Sequence, residues 1–203
     1  MDTPAVFDAT RPLAVKLPPD GVRVVHLRFP TDDETAERQR KRKAIIKNLG
    51  RGRSETTIPQ SEEADLAFLV LLRTDEGGEE IDAAEAEYVI AQVLQCEAVD
   101  VTPAPEGYRV ALVVLGADTA VLLRGPTLRE VRDFRKAYAK PMDLQYGARE
   151  ITINLKAAGE LVRKMFISAE GYAGEVPLAH QTAAVLAVIE AGERVAQGEP
   201  PGN

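Results

Sequence analysis

Leu27-Arg28-Phe29-Pro30-Thr31 and Leu123-Arg124-Gly125-Pro126-Thr127 spell one phrase, LRxPT, twice in a chain of 203 residues. Repeats are sought before any other pattern, because a missed repeat misassigns the whole fold. Each phrase closes on a helix-start signature. Thr31 and Glu34 stand three apart, as do Thr127 and Glu130, the capping-box spacing in which hydroxyl and carboxylate satisfy free amides at a helix start. Further landmarks follow in the same order. Gly50 answers Gly147, Ala64-Asp65-Leu66 answers Gly159-Glu160-Leu161, and Val89-Ile90 answers Ala184-Val185. The offset stays at about 96 residues, which predicts an internal duplication. Chance recurrence of short apolar and capping patterns is the competing explanation; the shared order favours duplication.

Outward from each phrase the pattern predicts strands before it and helices after it. Pro18-Pro19-Asp20-Gly21 is a turn sequence ahead of Val22, Val24, Val25 and Leu27, so the first copy begins as a hairpin. In the second copy, 97–102 leads through Pro103-Ala104-Pro105-Glu106-Gly107 into 108–115 and then 119–123, rich in β-branched valine. Beyond each phrase the period moves towards 3.6. A first helix is expected over 31–48, stopped at Gly50, and over 127–139, stopped by Pro141. Second helices are expected near 61–73 and 156–168, with a short added strand before the latter. Third helices are expected over 82–95, opened by Asp82 and Glu85, and over 177–192, opened by Pro177. The expected class is α+β, with two tandem copies of a β-hairpin or meander followed by three helices, spanning 1–96 and 97–198. Residues 199–203 are expected to be a disordered tail.

Composition fits a soluble globular protein: 45% hydrophobic, 28% charged, no tryptophan and only 5% aromatic residues. Packing must therefore be aliphatic, and base-stacking nucleic-acid binders would want more rings. The net charge of −7 argues against general affinity for DNA or anionic lipid. No apolar run has the length of a membrane helix, and Met1-Asp2-Thr3-Pro4 begins no secretory signal, so the expected location is the cytoplasm. The single Cys96 follows Val89, Ile90 and Val93 at helical spacing and reads as a small buried hydrophobe.

Catalysis finds little support. His26 and His180 have no sequence neighbours that build a metal motif or a nucleophile relay, and each reads as a surface or structural histidine. No cofactor is expected. Acidic clusters at Glu62-Glu63-Asp65 and Glu79-Glu80-Asp82 precede helices, where the dipole favours them. Gly171-Tyr172-Ala173-Gly174 reads as a tight turn with a packed tyrosine, or else as a partner-contact loop.

The strongest local charge feature is basic. Arg38, Arg40, Lys41, Arg42, Lys43, Lys47, Arg51 and Arg53 occur without an intervening acid, after Asp32, Asp33, Glu34 and Glu37. A solvated helix with its charges ordered along the dipole accounts for the run. Phosphate contact, with affinity falling steeply in salt, is one alternative; docking on an acidic protein is another. The second copy lacks the block.

A hairpin that ends in LRxPT and launches a helix resembles the start of phage tail assembly chaperones, best over 22–34 and 119–130. The chain differs from simple members of that family in carrying the module twice. The resemblance implies a non-enzymatic phage or prophage tail morphogenesis protein that binds tape-measure and tail-tube proteins transiently, with no nucleotide or metal. Under it, Arg28 and Arg124 at the strand-to-helix corners, with Arg38, Arg42, Lys43, Arg51 and Arg53 of the basic run, are the candidate partner-binding residues. Pro30, Thr31, Pro126 and Thr127 would set the fold. A nucleic-acid-associated phage structural protein using the basic run is the rival expectation.

Overall fold

The protein is described here from a computed structural model covering residues 6–18, 21–50, 53–57, 61–75, 80–115, 117–144 and 148–196. The class is α+β. The expected tail at 199–203, Gly147 and Arg51 lie outside the described residues.

In the first half, β1 (Leu13–Lys16) pairs antiparallel with β2 (Val24–Leu27), Leu13 opposite Leu27. Burial alternates along β2, with Val25 and Leu27 inward, as a half-buried strand requires. The chain then turns through the first LRxPT phrase into α1 (Asp32–Lys41), the hairpin β3 (Ala44–Gly50) and β4 (Arg53–Thr57), and helices α2 (Ser61–Leu72) and α3 (Ala83–Val93). The second half has the meander β5 (Cys96–Ala104), β6 (Gly107–Val114) and β7 (Ala117–Leu123), then α4 (Leu128–Tyr138). The hairpin β8 (Ala139–Asp143) and β9 (Ala148–Ile153) follows, then α5 (Leu155–Met165), β10 (Phe166–Glu170) and α6 (Leu178–Ala196). Among the described residues three antiparallel sheets result: β1-β2, β10-β7-β6-β5 and β4-β3-β9-β8.

The expected first helix over 31–48 is corrected. It ends at Lys41, and the rest of the basic run turns into a strand. Consecutive bases from Arg40 to Lys43 repel along a helix, and the β-branched pair Ile45-Ile46 favours a strand. The unit is also not strands followed by three helices, because a hairpin stands between the first and second helices of each half. In the second half, the helix expected to 168 stops at Met165 and continues as β10. Cys96 opens β5 rather than extending a helix; it is half-buried, and burial pushes its thiol up to about 12.

Burial refines the match between second helices. Asp65, Phe68, Leu69 and Leu72 are inward on α2, and Ala158, Leu161, Val162 and Met165 are inward on α5 with the same spacing. Asp65 therefore corresponds to Ala158, two residues from the Glu160 match that sequence alone suggests.

One aliphatic core runs through both halves, including Leu27, Leu69, Val89 and Ile90 from the first and Val110, Val121, Met165 and Val185 from the second. Burying each such side chain contributes about 1.5–3 kcal/mol. Aromatic rings close the seam: Phe7 lies 5.3 Å from Phe29, 5.8 Å from Tyr172 and 4.9 Å from His180, each edge to face. Phe7 N donates to Gly171 O at 2.8 Å, and Ala173 N donates to Phe7 O at 2.9 Å. Gly171 has φ +76, and a Cβ there would stand 2.6 Å from Asp118 O, so this docking needs glycine.

Candidate functional site

The two LRxPT phrases build the same corner. Thr31 and Thr127 are the N-caps of α1 and α4, each with a reciprocal capping box to Glu34 or Glu130. Arg28 donates from Nη1 and Nη2 to the two Glu34 carboxylate oxygens at 2.7 and 2.6 Å. Arg124 forms the same fork on Glu130 at 2.9 and 2.6 Å. Such paired charge-assisted bonds fix geometry as well as attract. The arginine hydrogen bonds hold both carboxylates down to about 2.

Each corner also reaches the next helix. Arg28 N donates to Leu72 O at 3.0 Å, and Arg124 N to Met165 O at 2.8 Å. The guanidiniums add bonds to the preceding carbonyls, Leu71 O at 3.3 Å and Lys164 O at 3.1 Å. One arginine thus joins the start of one helix to the carbonyl end of another, where a cation is favoured. Arg28 and Arg124 carry this internal load while their side chains remain 40% and 38% exposed.

The described side chains of the basic run are not gathered on one surface. Arg38 is drawn inward onto Asp65, with Nη2 2.7 Å from Oδ1, and its guanidinium lies 5.4 Å from the Phe68 ring centre. Arg40 Nε donates to Glu37 at 2.8 Å, and Lys43 Nζ sits 2.9 Å from Glu150 across the β3·β9 seam. Arg42 is half-buried after α1, Lys47 is exposed on β3, and Arg53 opens β4. Acids spaced far along the sequence supply several of the counter-charges, a fact invisible within the run itself.

A groove of about 810 Å³ opens between the start of α1, α5, β10 and the start of α6. Val162 and Val176 line its floor, and Phe166, 46% exposed, stands at its side. Asp33 and Lys156 pair at 2.7 Å on the rim. Asp32 Oδ1 accepts the Leu178 N–H at 2.8 Å, capping α6 and tying the first half to the second. Sequence reasoning missed this groove because Phe166 continues the apolar spacing of Leu161 and Met165 and reads as one more helix position.

His180 is wholly buried, as a structural histidine is. The Thr119 hydroxyl lies within hydrogen-bond reach of Leu112 O and of the Tyr172 hydroxyl, 3.1 Å from each, and the Tyr172 hydroxyl stands 3.3 Å from His180 Nδ1. Nε2 of His180 is buried without a hydrogen-bond partner among the described residues. Burial pushes the imidazole down to about 4 and the Tyr172 phenol up to about 12. His26 is exposed on β2, remote in role from this cluster. The glycine-flanked Tyr172 is therefore a packed turn residue.

Among the described residues, no group of three or more His, Cys, Asp or Glu side chains is placed to hold a metal ion, and no helix is long and apolar enough to cross a membrane. No protein-family model matches the chain, and no curated protein or solved structure matches it significantly.

Proposed function

We propose that this chain is a non-enzymatic tail morphogenesis protein of phage or prophage type, an assembly chaperone for tape-measure and tail-tube polypeptides. The observation that carries the reading is the twofold occurrence of one corner. The motif that resembles tail assembly chaperones folds, both times, into the same arginine-glutamate fork over a capped helix. The likeness to that family is one of sequence, and the recurrence of a single folded corner supports reading the two phrases as copies of one module.

The groove beside Phe166 is the docking surface under this reading. Its size suits the apolar side chains of a helical segment, the helix-in-groove mode of recognition. Burial of the exposed Phe166 ring by an incoming apolar face supplies affinity without nucleotide or metal. The engaged state of the basic run favours polypeptide over nucleic acid as the partner, since Arg38, Arg40 and Lys43 already have carboxylates.

Co-expression of the chain with the tape-measure and tail-tube proteins of its own element, followed by affinity purification, tests the reading. A stoichiometric complex with either, weakened tenfold or more by Phe166→Asp, is the expected result. Clean separation from both partners at micromolar concentration contradicts it.

A further inference from the structure

The sheet β4-β3-β9-β8 joins the two hairpins in a way that leaves each half with an unused copy of the other's contact. β3 and β8 are the first strands of their hairpins, and β4 and β9 the second strands. The in-chain seam pairs a first strand with a second strand, β3 with β9. Among the described residues its two unpaired edges are therefore one second strand, β4, and one first strand, β8. Contacts of this kind are heterologous, and repeated between copies they generate a ring or a filament.

The hydrogen-bond pattern fixes which groups those edges present. Leu144 N donates to Ala148 O and Asn154 N to Tyr138 O, both at 2.8 Å. Even-numbered residues of β8 thus bond towards β9, and Ala139, Pro141 and Asp143 face outward, because ladder bonds alternate sides along an antiparallel strand. By the same alternation Arg149 and Ile151 of β9 bond to Ile46 and Ala44, and Ser54 and Thr56 of β4 face outward. Matching the hairpins places Ala139 where β3 has Ala44, Pro141 where it has Ile46, and Glu55 where β9 has Glu150. A second copy docked in the seam register would set Ala139 opposite Thr56, Lys140 opposite Glu55 and Pro141 opposite Ser54. The Lys140 and Glu55 side chains are both exposed, and opposite charges directly across strands attract. In the existing seam Glu150, the counterpart of Glu55, already takes a lysine, Lys43.

Pro141 is the one residue that spoils the match. Ile46 brings an N–H to the seam, whereas proline has none to give, and it stands on the outward side of β8, where edge strands tolerate it. Edge proline is a known device against strand-to-strand association.

We propose that β8 and β4 are complementary edges for head-to-tail pairing between copies of this chain, and that Pro141 is the residue restraining that assembly. The test is sedimentation velocity on the full chain and on Pro141→Ile, over a concentration series at low salt, with circular dichroism as the check on folding. The expected result is at least a tenfold stronger self-association of Pro141→Ile, abolished when Glu55→Lys is added and regained when Lys140→Glu is added as well. A folded Pro141→Ile that associates no more strongly than the parent chain overturns the proposal, as does association indifferent to Glu55→Lys. If Pro141→Ile does not fold, Pro141→Ala restores the same N–H and is read by the same criteria.

Discussion

The guanidinium of Arg38 is held 2.7 Å from the carboxylate of Asp65, and the two side chains are only 9% and 1% exposed. The matching positions of the second half are Phe134 and Ala158, both buried. One half thus fills with an ion pair the place that the other fills with a ring and a methyl group.

This substitution within one chain makes a prediction. Breaking the pair with Asp65→Ala or Arg38→Ala strands a buried charge or empties a filled site and costs about 3–5 kcal/mol. The double change Arg38→Phe/Asp65→Ala imports the second half's solution and recovers most of that loss. Urea denaturation of the four proteins checks it; a double variant as unstable as the sum of its parts contradicts the equivalence.

The twin corners predict twin titrations. Carbon-detected NMR should find the Glu34 and Glu130 carboxyls both titrating at about 2. A carboxylate depressed in the folded state adds stability that is complete above its ordinary value of 4.5 and disappears as pH falls towards 2. Arg28→Ala should return Glu34 towards 4.5 and leave Glu130 where it was, with Arg124→Ala doing the reverse. A response of both carboxyls to either variant would mean that the two corners are not independent.

His180 predicts a second, milder acid effect. Its folded value is about 4 and its ordinary value is 6.5, so the unfolded chain takes up the proton first. Stability from this group is therefore whole above pH 6.5 and falls between 6.5 and 4, by about 3 kcal/mol at about 1.4 kcal/mol per unit. Thermal denaturation from pH 7.5 to 4.5 should show the decline in the parent chain and a flatter profile for His180→Phe. Equal slopes for the two proteins would remove His180 from the account.

Gly171 ties the N-terminal segment to the second half. Gly171→Ala places a Cβ against Asp118 O in a backbone conformation with φ +76, and a cost of about 1–3 kcal/mol follows from strain at such a position. Hydrogen exchange should show Phe7 and Ala173 amides losing protection together, since each bonds to this turn or across it.

What could be read from sequence was local. Thr31 with Glu34, Thr127 with Glu130, and Asp82 with Glu85 each announce a capping box within four residues, and all three form. The valine-rich segments of β2 and β6 likewise mark their own strands, in which burial alternates. Of the hairpin strands, β9 is the short strand expected before the second helix of the second copy, while β3 and β8 escaped notice for opposite reasons. β3 is masked by the bases that precede it, and β8, Ala-Lys-Pro-Met-Asp, is exposed almost throughout and has no inward face to mark its period. Arg38 reads from sequence as part of a solvated helix or as a partner contact because its own partner lies 27 residues on, and pairing at that range follows from packing, not from spacing. The groove and the Phe7 docking each bring together segments far apart in the chain, and no local pattern encodes either.

The central claim, that this chain shields tail polypeptides before assembly, is met most directly by a turbidity assay. A tape-measure segment from the same element is diluted from denaturant with and without the purified chain, in the absence of nucleotide. The account predicts suppression of aggregation at one-to-one stoichiometry, lost with Phe166→Asp and kept with Lys47→Ala. Equal turbidity with and without the chain, across a tenfold excess, would contradict it.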